Sequence, residues 1–405
     1  VSEHPPDGTN DARSAEGPPL RAFLRYFVGL GTWGFGGPIA TVGYMQRDLV
    51  EGRTWVTERD FLNGVALGQT MPGPLAAQVV MWVGYLQRGA LGALGTSTLF
   101  ILPSFVVVLG VAIVYVRFQG LAVVQALFYG ISPAVIALIA VASVKLARLT
   151  DKSDTKLWTI SLVVAVVTAV TGAEIGLMFI AAGLLMILLE APPKLQRLRR
   201  RERGEPGETT ARSVALLASS TSFKVLTGTA TAGTLVALGL FFLKAGAFIF
   251  GSGLAIVPFL QSGVVDQHHW LTQQQFLDAV AMGLITPGPV VITATFIGYL
   301  IGGMTGALVA TIAIFIPIYL GVVIPGRWFV RHRDHPQLKA FVRGATAAAA
   351  GAIAGATVVL AKGAIVDVET ALIALGGLAF VLRFKNREPI LVLLAAIAGL
   401  VLKGT

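Results

Sequence analysis

No cysteine occurs in this chain of 405 residues. That absence excludes disulfides, thiolate catalysis and cysteine-ligated zinc. Charge is also scarce: 13% of residues are Asp, Glu, Lys or Arg, whereas a soluble chain carries roughly 25%. Histidine is rare, and His268, His269, His332 and His335 show no metal-site spacing. No metal is therefore expected. The chain lacks a nucleophile–base arrangement, a phosphate-binding loop and a dinucleotide fingerprint. No enzyme activity, no ATP-driven step and no cofactor is expected.

What remains is apolar. Hydrophobic residues make up 55% of the chain, and mean hydropathy is +0.77. Runs long enough to cross a bilayer recur along the whole length. The expected class is an all-α polytopic membrane protein. The net charge of +10 sits in short loops between apolar segments, where it reads as a topology signal rather than a nucleic-acid footprint. Residues 1–19 are polar and contain Pro and Gly, so a disordered tail is expected. They lack the basic start and cleavage site of a signal peptide.

One pattern occurs twice. Residues 55–74 read WVTERDFLNGVALGQTMPGP and residues 270–289 read WLTQQQFLDAVAMGLITPGP, with ten of twenty positions identical at an offset of 215. Phe35-Gly36-Gly37 pairs with Phe250-Gly251-Ser252 at the same offset. From Gly84 and Gly298 onward the offset is 214, so the first copy gains one residue. The expected organisation is a first repeat over 20–190, a basic linker over 191–225 and a second repeat over 226–405.

Thr57 and Thr272 look like helix caps. From each cap to the Pro-Gly-Pro is about 13 residues, or about 20 Å of helix, against a bilayer core of about 30 Å. The expected element is a re-entrant hairpin of two half-helices with Pro-Gly-Pro at its tip. The alternative is one kinked span of about 29 residues, long enough to cross the core. If the hairpin does not cross, each half spans five times and the halves are inverted. The basic loops 45–60, 148–156, the linker, 326–339 and 385–388 then all face the cytoplasm, as the positive-inside rule requires. Gly298, Gly302 and Gly306 form small-xxx-small pairs that predict close helix contact. Residues 344–356, nearly all Ala and Gly, predict the same.

Proline in a first helical turn is preorganised for a helix start. Pro74 and Pro289 are thus expected to begin half-helices whose N-termini carry partial positive charge and free amides. Facing one another near the midplane, they suit an oxyanion. Candidate substrate-binding residues are Gly36, Gly37, Gln69, Thr70, Gly73, Pro74, Lys244, Gly251, Ser252, Thr286, Gly288 and Pro289, with Gln78, Thr293 and Thr295 as further hydroxyl or amide donors. Lys244 lies in an apolar segment, where a charge marks function or snorkels to the interface. Asp278 is the proton-coupling candidate, against a cap-side surface position.

Gly34-Phe35-Gly36-Gly37-Pro38, Met71–Pro74, Phe250–Gly253 and Thr286–Pro289 together resemble the signatures of the chromate ion transporter family, in its long two-domain form. The resemblance covers nearly the whole chain after residue 20. It implies a multi-pass inner-membrane protein that exports chromate, confers resistance and uses the membrane potential or a proton gradient. The expected function is a secondary active transporter for this tetrahedral oxyanion, in which one half moves against the other. Sulfate uptake and an anion channel are the alternatives. Expected partners are the oxyanion, a coupled proton, the lipid bilayer and a second copy of the chain, with no nucleic acid.

Overall fold

The computed structural model describes residues 18–34, 37–118, 121–151, 153–171, 176–192, 232–249, 253, 256–332, 334–384 and 387–403. Residues 1–17 and most of the basic linker lie outside these. Among the described residues every regular element is helical. The first copy holds α1 (Leu20–Trp33), α2 (Gly37–Met45), α3 (Glu58–Thr70), α4 (Leu75–Phe118), α5 (Ala122–Asp151), α6 (Thr155–Thr171) and α7 (Gly176–Glu190). The second holds α8 (Ala232–Ala247), α9 (Ile256–Gln261), α10 (Gln273–Ile285), α11 (Thr293–Val323), α12 (Gly326–His332), α13 (Pro336–Ala364), α14 (Val368–Arg383) and α15 (Glu388–Lys403). By length and composition α4, α5, α11 with its preceding turn, and α13 can each cross a bilayer.

The hairpin is present in both copies. Thr57 caps α3 by accepting from the Asp60 N–H. Thr272 caps α10 in a full capping box with Gln275. After the Pro-Gly-Pro the chain reverses. Trp82 Nε1 donates to the Asp60 carbonyl at 2.9 Å, and Gln87 Nε2 donates to the Trp55 carbonyl at 2.8 Å. The 75–87 arm therefore runs antiparallel to α3, with Trp55 and Gln87 at one end and the tip at the other. A single kinked span would place those pairs far apart.

A second reversal follows at once. Arg88 leaves helical geometry and Gly89 takes φ +61°, while Gly302 and Gly303 (φ +59°) do the same in α11. Positive φ with strongly negative ψ is open to glycine and almost nothing else. The chain folds back so tightly that Gly84 lies against Gly92 and Gly298 against Gly306. Thr96 Oγ1 reaches the Val80 carbonyl at 3.1 Å, and Thr295 and Thr311 share a 2.7 Å bond. Gly298 and Gly306 thus make the close helix contact expected of them, and they make it across a fold-back within α11 that turns at Gly302 and Gly303.

The faces of the molecule sort as the loop charges require. Arg343 Nη2 meets Asp154 at 2.6 Å and its Nη1 meets Glu190 at 2.7 Å, so the 148–156 loop, the end of α7 and the start of α13 share one face. Gly326 lies against Trp82 and the Tyr319 hydroxyl bonds the Ala90 carbonyl, placing the open end of the first hairpin there too. On the opposite face Gln274 meets Ser132, and the Tyr129 hydroxyl meets Asp367 and Glu369. The second hairpin opens on that face. The two copies are inverted.

They are also interleaved. Glycines of α13 let it press onto α6 and α7: Gly344 lies on Ala182, Gly351 on Ser161 and Gly355 on Ala165. In return Gly130 of α5 lies on Ala395 and Gly399 of α15. These six helices, α5–α7 and α13–α15, form one frame. In a second bundle α11 packs on α8 and α4, and α1 packs on α4, with the hairpin helices α3 and α10 against them. Each unit contains parts of both copies. Movement of one whole copy against the other, as expected from sequence, would tear α13 from α6 and α7. The Ala/Gly run of α13 is packing inside the frame.

Candidate functional site

The two tips meet. Gly73 and Gly288 take φ +141° and +103°, which a side chain resists. The prolines that follow sit one residue before the helix, as caps with extended backbone at Pro289 (ψ 134°), rather than inside the first turn as expected. The second copy, one residue shorter here, opens with a 3-10 turn over Val290–Ile292. A 3-10 turn rises about 2.0 Å per residue against 1.5 Å in an α-helix. Both arms therefore span about 15 Å from the second proline to Gly84 or Gly298 despite the deletion.

Each tip is held by the other copy. The Gly73 N–H donates to the Ile249 carbonyl at 2.6 Å, and Ser104 Oγ donates to the Pro287 carbonyl at 2.6 Å. A Cβ on Gly73 would stand 2.9 Å from Ile318 Cγ2, and one on Gly288 would strike Ser104. Ser104 and Ile318 are equivalent at the repeat offset of 214. Between the tips lies Gly253, whose Cβ would stand 3.5 Å from Val290 Cβ and 3.8 Å from Pro74 Cβ. Two helix N-termini, with amides that have no acceptor inside their own helix, converge on one small residue.

The nearby hydroxyls are engaged in holding the broken helices. Thr70 donates to the Ala66 carbonyl at 2.7 Å and Thr286 to Met282 at 2.9 Å. Thr293 donates to Val290. Gln78 Nε2 bonds the Pro72 carbonyl at 2.9 Å and stitches the first tip, leaving its buried Oε1 without a partner among the described residues. Gln69 is exposed. Gly37 begins α2, whereas Gly36, Gly251 and Ser252 lie outside the described residues. Among the described residues, the donors that remain at the convergence are backbone amides.

Residues 21–188 and again residues 236–400 match the family model described as chromate transporter. The chain belongs to the chromate transporter family. It is 47% identical over 403 residues to the chromate transport protein of Cupriavidus metallidurans, covering 99% of this chain and 98% of that one. It is 47% identical over 384 residues to a probable chromate transport protein of Synechococcus elongatus, covering 94% and 95%. The chromate transport protein of Pseudomonas aeruginosa is 31% identical over 415 residues, covering 98% and 96%. No solved structure matches.

In this family member Lys244 is an exposed residue of α8. Its Nζ stands 5.7 Å from the Phe259 ring centroid, and no contact among the described residues brings it to the tips. Asp278 is not the cap-side surface residue that its place on α10 allowed. It is 2% exposed, and accepts from the Tyr115 hydroxyl at 2.7 Å and from Gln274 Nε2 at 3.0 Å. Sequence reading missed Tyr115, which stands in the apolar run 111–116 with nothing local to mark it. The repeat could have found it. Tyr115, Asp278 and Phe296 correspond by offset to Phe329, Asn63 and Trp82, so equivalent positions of the two copies differ in polarity.

Proposed function

We propose that this protein is a secondary transporter that exports chromate, or a closely similar tetrahedral oxyanion, across the inner membrane by alternating access. The observation that carries the reading is the convergence of the Pro74 and Pro289 tips on Gly253. Two helix N-termini present partial positive charge and amide donors to one point. A dianion is favoured there and a cation repelled. Relatives named chromate transport proteins support the choice of oxyanion. Expelling a dianion from a cell that is negative inside is favoured by about 2.3 kcal/mol per charge per 100 mV, so voltage alone can drive export.

The moving parts are the hairpin bundle and the six-helix frame. α10 packs against α5, α13 and α15 of the frame, whereas the extensive contacts of α3 are with α4, α12 and the turn before it. This asymmetry supports a state closed on the face of the 261–275 loop. Reversing it would bring α3 onto the frame and part α10 from it. The test is chromate and sulfate flux in proteoliposomes with an imposed voltage. Saturable chromate flux that follows the voltage supports the reading. Preference for sulfate directed inward, or single-channel currents, would overturn it.

A further inference from the structure

We propose that Asp278 is the group that takes up and releases a proton during transport, reached through the cavity between α4, α5 and α10. The proposal rests on the oxyanion-transport reading and deepens it. A carboxylate buried in a membrane segment is costly without a cation, and no described cation pairs with Asp278. Its partners are one hydroxyl and one amide. When Oδ2 is protonated it donates to the Tyr115 oxygen instead of accepting from it, so the pair fits both states. The proton arrives from water and returns to water, with no bond to carbon made or broken.

Access is built in. A cavity of about 360 Å³ is lined by Tyr115, Gln125, Tyr129, Gln274, Gln275 and Asp278 among others, with Asp278 the one charged group in its lining among the described residues. At its mouth the Tyr129 hydroxyl lies 2.6 Å from Asp367 and 2.8 Å from Glu369. Lys403 Nζ stands 5.0 Å from the Tyr129 ring centroid and 3.8 Å from Glu369. The two carboxylates outnumber the one ammonium, so the mouth attracts protons and repels a dianion. Gln274 ties the site to the seam: the same amide nitrogen bonds Asp278 in the hairpin bundle and Ser132 of α5 in the frame at 3.1 Å. Charging or neutralising Asp278 therefore changes a contact between the two units that move. Asn63 occupies the matching place in the first copy and cannot titrate.

The full chain is reconstituted in liposomes with chromate and the voltage clamped at several values. In the wild type a one-unit pH gradient is expected to shift the steady-state chromate ratio about tenfold per coupled proton. Asp278→Asn should still respond to voltage but not to pH, Asp278→Glu should keep the pH response, and Tyr115→Phe should move its midpoint. A wild-type pH response in Asp278→Asn overturns the proposal. So does wild-type chromate flux indifferent to pH, which leaves the transport reading intact; absence of any oxyanion flux defeats that reading instead. Should Asp278→Asn fail to assemble, infrared spectra of the wild type and Asp278→Glu decide. A protonated-carboxyl band that titrates with pH and moves in Asp278→Glu supports the site, and its absence overturns it.

Discussion

Ser104 Oγ donates to the Pro287 carbonyl at 2.6 Å, so the long helix of one copy holds the broken tip of the other. Its repeat equivalent, Ile318, packs on the glycine of the opposite tip. Ser104→Ala leaves that carbonyl without its partner, at a cost of about 1 kcal/mol. Thermal unfolding should show the loss, and chromate flux should fall with it. Unchanged flux and stability would remove this bond from the account.

Gly73→Ala and Gly288→Ala should each cost about 1–3 kcal/mol, because both positions demand positive φ. At Gly288 the new methyl also meets Ser104. Flux should drop roughly tenfold or more, in line with a loss above about 1.4 kcal/mol at the site. Gly29→Ala, which meets nothing within 4 Å, is the control and should behave as wild type.

Thr70→Val and Thr286→Val should change chromate affinity by less than about threefold, or about 0.7 kcal/mol. Both hydroxyls bond the carbonyl four residues back in their own helix, a local bond that competes with donation to a ligand. A larger loss of binding in flux titrations would return these hydroxyls to the site.

The hairpins, the inversion and the tips were legible because the chain states each twice. A broken element repeated at a fixed offset, together with loops of one charge sign, defines both geometry and orientation. The interleaving of the copies was not legible. Nothing local in Gly344, Gly351 or Gly130 says which helix each will meet, since lipid-facing and frame-facing sides are equally apolar. Pro74 and Pro289 stand one position earlier than their sequence context suggests, because an N-cap and an N1 proline have the same sequence signature. Tyr115 was invisible because its partner lies 163 residues away.

Arg343→Ala should cost about 1 kcal/mol or less, since the guanidinium and its partners Asp154 and Glu190 are partly open to water. The loss should shrink as salt rises. Thermal unfolding at low and high ionic strength checks it. A loss independent of salt would mean that Arg343 acts through packing.

Hydrogen bonds from Tyr129 and from the Thr370 backbone hold the Asp367 carboxyl down at about 2. A depressed carboxyl stabilises above its ordinary value of about 3.9 and loses that contribution as pH falls toward about 2. Unfolding temperatures should therefore fall more steeply in the wild type than in Asp367→Asn across that window. Parallel curves would contradict the bond from Tyr129.

Both tips converge on Gly253, and a chain without cysteine allows this to be measured directly. Gly253→Cys is paired with Val290→Cys and, separately, with Pro74→Cys, at Cβ separations of 3.5 and 3.8 Å that match a disulfide. Both pairs should cross-link rapidly under mild oxidation, and each link should stop chromate flux until it is reduced. Cross-linking by neither pair, or by one alone, would place the two helix ends apart, with no shared anion site between them.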